Sequence, residues 1–101
     1  MLVSVVIPAH NAGSYLAEAV ESALRAGEGG WEIVVVDDGT TDGSVDSLRN
    51  SCGDRVTFVT GSGVPSGPSA ARNRGQDAAR GDIVIFLDAD DVLLPSAWRM
   101  A

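Results

Sequence analysis

Four short runs of mainly β-branched apolar residues recur along the chain, separated by segments with helical character. The runs cover residues 3–7, 32–36, 56–59 and 83–87. Strands that alternate with helices in this way form a parallel sheet covered by helices. The pattern therefore predicts an α/β fold with a mostly parallel sheet. Residues 1–101 are expected to form one domain or part of one.

The segment after the first run has the pattern of an amphipathic helix. Ser14 suits the N-cap of this helix and Gly27 its end. A weaker helix is predicted over residues 42–50, with Thr41 or Asp42 as its cap. The apolar residues of the first helix share one face, at the i, i+3, i+4, i+7 and i+8 positions: Leu16, Ala19, Val20, Ala23 and Leu24.

A third helix is predicted over residues 69–80, after an irregular loop over residues 61–67 that we expect to face a ligand. Pro68 suits the first turn of this helix, and Gly81 suits its termination. Small residues on one side of the helix, including Gly75, would let it lie close to the sheet. A further helix is expected to open after Pro95.

The fourth run ends abruptly in acidic residues. A strand that is apolar throughout is typically covered on both faces, and ligands of open α/β sheets bind at the carboxyl ends of the strands. Asp88 and Asp90 are two positions apart, so on an extended segment they project to the same side. Two converging carboxylates repel each other unless a cation lies between them. The spacing therefore predicts a divalent metal.

The second run also ends in acidic residues, Asp37 and Asp38. These residues would serve equally well to cap the next helix or to shape the turn at Gly39. The second acidic cluster at the same edge of the sheet favours ligand binding. The first run leads into a short polar loop with His10 and Asn11, where contact by the loop backbone is favoured over chemistry by the histidine.

Arginines occur in the first turns of the third helix. A helix N-terminus and guanidinium groups both stabilise phosphate, so an anionic ligand is indicated. Arg72 is the candidate contact. Arg74 and Arg80 are expected to be ordinary solvated charges.

Composition excludes several classes of function. The formal net charge of −7 argues against nucleic acid as a partner. All seven basic residues are arginines, which removes lysine-dependent chemistry, and a single cysteine with a single histidine excludes a typical zinc site. No apolar run approaches the roughly 20 residues of a membrane span. A soluble cytoplasmic domain without a membrane segment is expected, with association through other parts left open.

Four strings in the chain resemble, in order and spacing, the N-terminal half of family 2 glycosyltransferases with the A-type fold. They are VSVVIPAHN at 3–11, IVVVDDGT at 33–40, AARNRG at 70–75 and LDADD at 87–91. The resemblance implies a three-layer α/β/α Rossmann-like nucleotide-diphospho-sugar transferase fold. The chain would be its nucleotide-sugar-binding part, incomplete at the C-terminus.

The resemblance also implies a function and a set of site residues. The expected reaction is metal-dependent, inverting transfer of a sugar from a nucleotide-diphospho-sugar, with UDP as a family-level guess, to a hydroxyl of a glycan or lipid-linked acceptor. The general base is expected beyond Ala101, and Asp37 is expected to support its turn. The implied contacts are Pro8, Ala9 and His10 at the nucleoside, Asp38 at the base, Arg72 at the diphosphate, Asp88 at the ribose and metal, and Asp90 and Asp91 at Mn²⁺ or Mg²⁺.

Other classes fit the sequence less well. A dinucleotide-binding oxidoreductase needs a Gly-x-Gly-x-x-Gly turn after its first strand, where this chain has Pro8 to Gly13. A signalling receiver domain uses a lysine, and a nucleotidyltransferase carries a Gly-rich basic signature after its first strand. A non-catalytic nucleotide- or metal-binding α/β domain and a nucleotidyltransferase are the alternatives kept.

Overall fold

A parallel sheet with helices on both faces is the framework of the chain. The computed structural model describes residues 1–28, 30–61 and 66–88. Its strands are β1 (Val3–Ala9), β2 (Glu32–Asp37), β3 (Val56–Thr60) and β4 (Ile83–Phe86). Its helices are α1 (Ser14–Ala26), α2 (Ser44–Cys52) and α3 (Pro68–Ala78), with a 3₁₀ turn at Gly53–Arg55. The described sheet has the order β3-β2-β1-β4 and every pairing is parallel, so the predicted strands and sheet type are confirmed.

Alternate residues of the central strands supply two separate cores, because successive side chains of a strand point to opposite faces. On β1, Val5 and Ile7 pack with Leu16 and Val20 of α1. Val6, between them, belongs to the core on the opposite face, together with Ala71 of α3. The three layers that the sequence predicted are therefore present.

Helix α3 approaches the sheet closely through a glycine. A Cβ added at Gly75 would collide with Cγ1 of Val6 and lie 3.0 Å from Cγ2 of Val36. Both valines are fully buried. The predicted close packing of this helix is confirmed, and glycine is required at this position for steric reasons.

The helix ends differ from the prediction at several positions. The N-cap of α1 is Gly13, with a φ of 59°, and Ser14 is already helical; Gly27 is the C-cap as predicted. Helix α2 begins only at Ser44, because its N-cap Gly43 has a left-handed φ of 83°. Among the helices that the structure describes, none combines the length and the apolar character that a bilayer crossing requires.

Helix α3 also ends earlier than predicted, and Gly81 does not terminate it. The helix stops at Ala78, and its C-cap Ala79 has an extended backbone. Gly81 instead donates its N–H to Oγ of Ser4 at 2.8 Å. A Cβ at Gly81 would lie 2.5 Å from that oxygen, so the glycine serves close packing against β1.

Strand β4 is less covered than its apolar sequence predicts. Ile83 and Phe86 are each 44% exposed. The strand is at the edge of the described sheet, and α1 and α3 pack chiefly on β1 and β2. The outer position of β4 explains the difference.

A polar network closes the amino-terminal edge of the sheet. The carboxylate of Glu32, 8% exposed, accepts hydrogen bonds from Ser4 Oγ at 2.7 Å and from the N–H and Nε of Arg80, both at 2.8 Å. Burial raises the pKa of Glu32, but the hydrogen bonds from Arg80 and Ser4 outweigh it, so the pKa is lowered overall. Arg80 is 80% exposed and is therefore a solvated charge as predicted, but it lies beyond α3 and is paired with Glu32.

Candidate functional site

The polar loops after β1, β2 and β4 lie at one edge of the sheet. In the parallel register Ala9 of β1 pairs with Asp37 of β2, and Leu87 after β4 donates its N–H to the carbonyl of Val6 at 3.0 Å. His10, Asp38 and Asp88 therefore leave the sheet at its carboxyl-terminal edge. This edge is where open parallel sheets bind ligands.

Asp38 is buried and its carboxylate binds the segment that leads into α3. The residue is 5% exposed. Oδ1 accepts hydrogen bonds from the N–H and Oγ of Ser66 at 2.8 and 2.9 Å, and Oδ2 accepts one from the N–H of Gly67 at 3.1 Å. The backbone hydrogen bond from Ser66 is the largest cause of the lowered pKa of Asp38; burial acts against it. The carboxylate is therefore held in its ionised form.

The three residues predicted at the nucleoside differ in exposure. Pro8 is half-buried, Ala9 is buried and His10 is exposed. The carbonyl of Ala9 accepts hydrogen bonds from the N–H of Asp38 at 2.9 Å and from Oγ1 of Thr40 at 3.2 Å. Ala9 thus acts through its backbone, which ties the first loop to the second.

The ring of His10 is oriented by a backbone carbonyl. Nδ1 lies 3.0 Å from the carbonyl oxygen of Asp38. Because a carbonyl can only accept, Nδ1 carries the proton in this contact. The second ring nitrogen of His10, Nε2, lies outside this contact and can meet solvent or a ligand.

Asp37 supports the turn after β2, as predicted. Its Oδ1 accepts a hydrogen bond from the N–H of Thr40 at 2.9 Å. This local contact fixes the turn through Gly39, whose φ of 75° lies in the region that glycine favours.

Asn11 binds the first loop to the second, a role that the sequence did not reveal. Its Oδ1 accepts hydrogen bonds from the N–H of Thr41 at 2.8 Å and of Asp42 at 3.1 Å, with Oγ1 of Thr41 at 3.3 Å. Its backbone has a φ of 50°, which asparagine tolerates better than most residues. An asparagine just after a strand was the available signal.

Asp42 joins the starts of two helices. Its Oδ2 accepts a hydrogen bond from the N–H of Gly13 at 3.0 Å, and its Oδ1 accepts from the N–H and Oγ of Ser44 at 2.9 and 2.6 Å. These contacts lie at the N-termini of α1 and α2, where a negative charge is favourable. The side-chain hydrogen bond from Ser44 is the largest cause of the lowered pKa of Asp42.

We expect Asp42→Asn to lower the stability of the chain at neutral pH, and the loss to shrink in acid. Because the folded-state pKa of Asp42 is lowered, its contribution is complete above the ordinary aspartate pKa of about 3.9 and is lost as the pH falls through the folded-state value. Urea unfolding at a series of pH values measures this. Asp77→Asn, on the exposed side of α3, is the control, and a deficit independent of pH would contradict the prediction.

Arg72 and Asp88 form an ion pair between α3 and the end of β4. Nη2 of Arg72 lies 3.6 Å from Oδ1 of Asp88, with the side chains 41% and 61% exposed. An exposed pair of this kind contributes little to stability, so both groups remain accessible to a ligand. Asp90 and Asp91 lie outside the described residues.

Asp88 is the predicted metal ligand that lies within the described residues. Its carboxylate oxygens are ligands of the type that Mg²⁺ and Mn²⁺ prefer, and the side chain is exposed at the carboxyl edge. Within the described ranges, no group of three His, Cys, Asp or Glu side chains is placed to hold a metal. Asp88 fits a divalent cation as one ligand of a larger set.

Arg74 is not the solvated charge that the sequence predicted. It is half-buried, and its Nη1 donates a hydrogen bond to Oγ of Ser66 at 2.9 Å. The prediction was wrong because the helix points Arg74 towards the segment before α3, a contact across the loop that a sequence pattern does not contain.

Comparison with known sequences identifies relatives of this chain. The family model described as "Glycosyl transferase family 2" matches residues 4–101. An uncharacterized glycosyltransferase of Haemophilus influenzae is 36% identical over 91% of the chain, and the putative teichuronic acid biosynthesis glycosyltransferase TuaG of Bacillus subtilis is 39% identical over 89%. The Escherichia coli enzyme named UDP-Glc:alpha-D-GlcNAc-diphosphoundecaprenol beta-1,3-glucosyltransferase WfgD is 28% identical over 98%. The chain spans 37%, 36% and 39% of these relatives.

Solved structures share the fold. The S. aureus TarS 1-349 complex with UDP-GlcNAc has a TM-score of 0.82 and 26% identity, and the match covers 99% of this chain and 30% of the TarS chain. The mannosyltransferase PcManGT from Pyrobaculum calidifontis, in complex with GDP-Man and Mn²⁺, has a TM-score of 0.83 and 25% identity, covering 95% and 30%. These likenesses confirm the predicted A-type glycosyltransferase fold. Because the family model matches residues 4–101, which is nearly the whole chain, the chain belongs to glycosyl transferase family 2.

Proposed function

We propose that residues 1–101 form the nucleotide-sugar-binding part of a glycosyltransferase that transfers a sugar from a nucleotide-diphospho-sugar to an acceptor hydroxyl. One observation carries the proposal: His10, Asp38, Arg72 and Asp88 share the carboxyl-terminal edge of a sheet that matches the TarS chain solved with UDP-GlcNAc. Family membership gives the nucleotidyltransferase alternative no support.

The nucleoside is proposed to bind at the loops after β1 and β2. Pro8, Ala9 and His10 would line its pocket, and Asp38 would accept a hydrogen bond from the base. The described residues donate three hydrogen bonds to the Asp38 carboxylate, and an ionised carboxylate has about four acceptor positions. One position on Oδ2 thus remains for a donor such as the imide N–H of uracil, which favours UDP as the carrier.

The diphosphate is proposed to bind between α3 and the end of β4. Arg72 would donate to the phosphate oxygens, and Asp88, which also meets the ribose, would hold Mn²⁺ or Mg²⁺ with Asp90 and Asp91. When bound, the cation supplies Lewis-acid stabilisation of the charge on the diphosphate leaving group. The ion pair of Arg72 with Asp88 supports this arrangement, because a guanidinium that can donate hydrogen bonds to phosphate then lies beside a candidate metal ligand.

The acceptor is proposed to be a hydroxyl of a glycan or of a lipid-linked sugar, with inversion at the transferred carbon. The name of WfgD, with its diphosphoundecaprenol acceptor, supports the lipid-linked class. A carboxylate would deprotonate the acceptor hydroxyl, and none of the acidic residues at the proposed metal site is assigned this role. Cytoplasmic action is part of the proposal.

Calorimetric titration of the purified chain with UDP, GDP and dTDP, with and without Mn²⁺, tests the proposal. We expect one nucleotide to bind in a metal-dependent manner, with the tightest binding for UDP, and Asp90→Ala to remove the dependence on metal. Asp54→Ala, in the 3₁₀ turn before β3, is the matched control and should bind as the unmodified chain does. Absence of nucleotide binding by a chain with intact circular dichroism would refute a donor site in these residues.

A further inference from the structure

Arg74 is connected to the carboxylate of Asp38 through a single hydroxyl. Nη1 of Arg74 lies 2.9 Å from Oγ of Ser66, and this oxygen lies 2.9 Å from Oδ1 of Asp38. A guanidinium can only donate, so Ser66 Oγ accepts from Arg74. The hydroxyl proton of Ser66 is then directed at Asp38, because the ionised carboxylate can only accept. Arg74, Ser66 and Asp38 thus form a hydrogen-bond relay in which each group donates to the next, from the cation to the carboxylate.

A glycine makes room for this relay. An ideal Cβ at Gly61 would lie 2.6 Å from Nη1 of Arg74 and 3.3 Å from its Cζ. The N–H of Gly61 is bound to the carbonyl of Asp37 at 3.1 Å, so the glycine is fixed beside the end of β2. The guanidinium that contacts Ser66 thus occupies the space that a side chain at position 61 would fill.

The relay decides which atom of Asp38 is open to a ligand. Ser66 supplies two hydrogen bonds to Oδ1, its N–H and its hydroxyl, while Oδ2 accepts from Gly67. The hydroxyl, aligned by Arg74, gives Oδ1 its second hydrogen bond, whereas Oδ2 accepts one hydrogen bond from the described residues and has a further acceptor position. The same hydrogen bonds lower the pKa of Asp38, which keeps that position an acceptor.

We infer that Arg74 is a positioning residue for nucleobase recognition, acting through Ser66 to orient Asp38 towards a base that carries an imide N–H. The inference rests on the proposed function. It gives Arg74 a different role from Arg72, which is proposed to bind the diphosphate. Residues two apart on a helix do not face each other, and in the structure Arg72 reaches Asp88 whereas Arg74 reaches Ser66.

Selectivity between two nucleotides tests the inference, with UDP and its N3-methyl analogue, which lacks the imide N–H, as probes in calorimetric titrations. We expect the unmodified chain to prefer UDP by about tenfold, the value of one hydrogen bond to a charged group. Arg74→Gln should reduce this preference to roughly two- to threefold and change the affinity for the analogue by less than about twofold. Ser66→Ala should do the same, and the double variant should lose nothing further.

The control is Arg25→Gln, which removes the same charge at the exposed C-terminal end of α1 and should leave both affinities unchanged. Equal weakening of both probes by Arg74→Gln would assign Arg74 to the phosphates or to the fold and overturn the inference, as would an undiminished preference. An unmodified chain that binds both probes equally would overturn it too, while leaving donor binding in place. An unmodified chain that binds neither would overturn the proposed function as well. If Arg74→Gln fails to fold, Ser66→Ala serves as the test. A reduced preference for UDP in that variant supports the inference, and an unchanged preference overturns it.

Discussion

Gly75→Ala is expected to destabilise the chain by about 1–2 kcal/mol, although alanine is the better helix former. The propensity gain in a helix interior is about 1 kcal/mol, whereas overpacking of a rigid core costs about 1–3 kcal/mol and occasionally more. The new methyl group would collide with Val6 and press on Val36, and both side chains are fully buried and lack room to move. Urea unfolding followed by circular dichroism measures the difference.

A second substitution identifies the cause of that loss. Val6→Ala removes the methyl group that the new side chain meets, so it should cost clearly less stability in the Gly75→Ala background than in the unmodified chain. Gln76→Ala, on the exposed side of the same helix, is the control for helix propensity alone. A Gly75→Ala chain as stable as the unmodified one would show that α3 can move away from the sheet at little cost.

Asp38→Ala should lower the free energy of unfolding by about 2–3 kcal/mol, before any ligand is considered. Three hydrogen bonds converge on its carboxylate, two of them from the backbone N–H groups of Ser66 and Gly67. Hydrogen bonds to charged groups contribute about 1.5–3 kcal/mol. Ser66 is exposed, so water would replace part of the loss and bring the total below the sum of three such bonds. Urea unfolding at pH 7 provides the value.

The neighbouring carboxylate provides the comparison. Among the described residues, the carboxylate of Asp37 accepts one hydrogen bond, from Thr40, so Asp37→Ala should cost less than half as much. The pKa of Asp38 is lowered in the folded chain, and its contribution is therefore fully present above the ordinary aspartate range near pH ~4 and lost as the pH falls below it. Equal losses for the two variants would mean that Ser66 and Gly67 are held by other contacts.

The sheet was predictable because each strand is marked by its own residues. The β-branched runs are local, and their alternation with helical segments leaves few topologies. The helix ends were not predictable to the same degree. Ser14 has the chemistry of an N-cap, yet Gly13 takes that position, because the N–H of Gly13 is bound by Asp42 from another loop. A cap supplied from a distant segment leaves no local signal.

The candidate site was predictable in its location and less so in its connections. Acidic residues at the ends of two strands pointed to the correct edge, because parallel strands end together. The contacts of Asn11 with Thr41 and of Arg74 with Ser66 join different loops, and neither follows from periodicity. Arg74 in particular has the same sequence signature as an exposed helix charge. Its guanidinium lies where a side chain at Gly61 would otherwise be.

The Glu32 network separates the two edges of the sheet in a way that matters for redesign. At the amino-terminal edge, Glu32 binds the segment beyond α3 to β2 and, through Ser4, to β1. These connections hold the strands together at the edge opposite the candidate site, in addition to the loop contacts of Asp38 and Asp42. A substitution that changes ligand preference at the carboxyl-terminal edge therefore leaves this part of the scaffold intact.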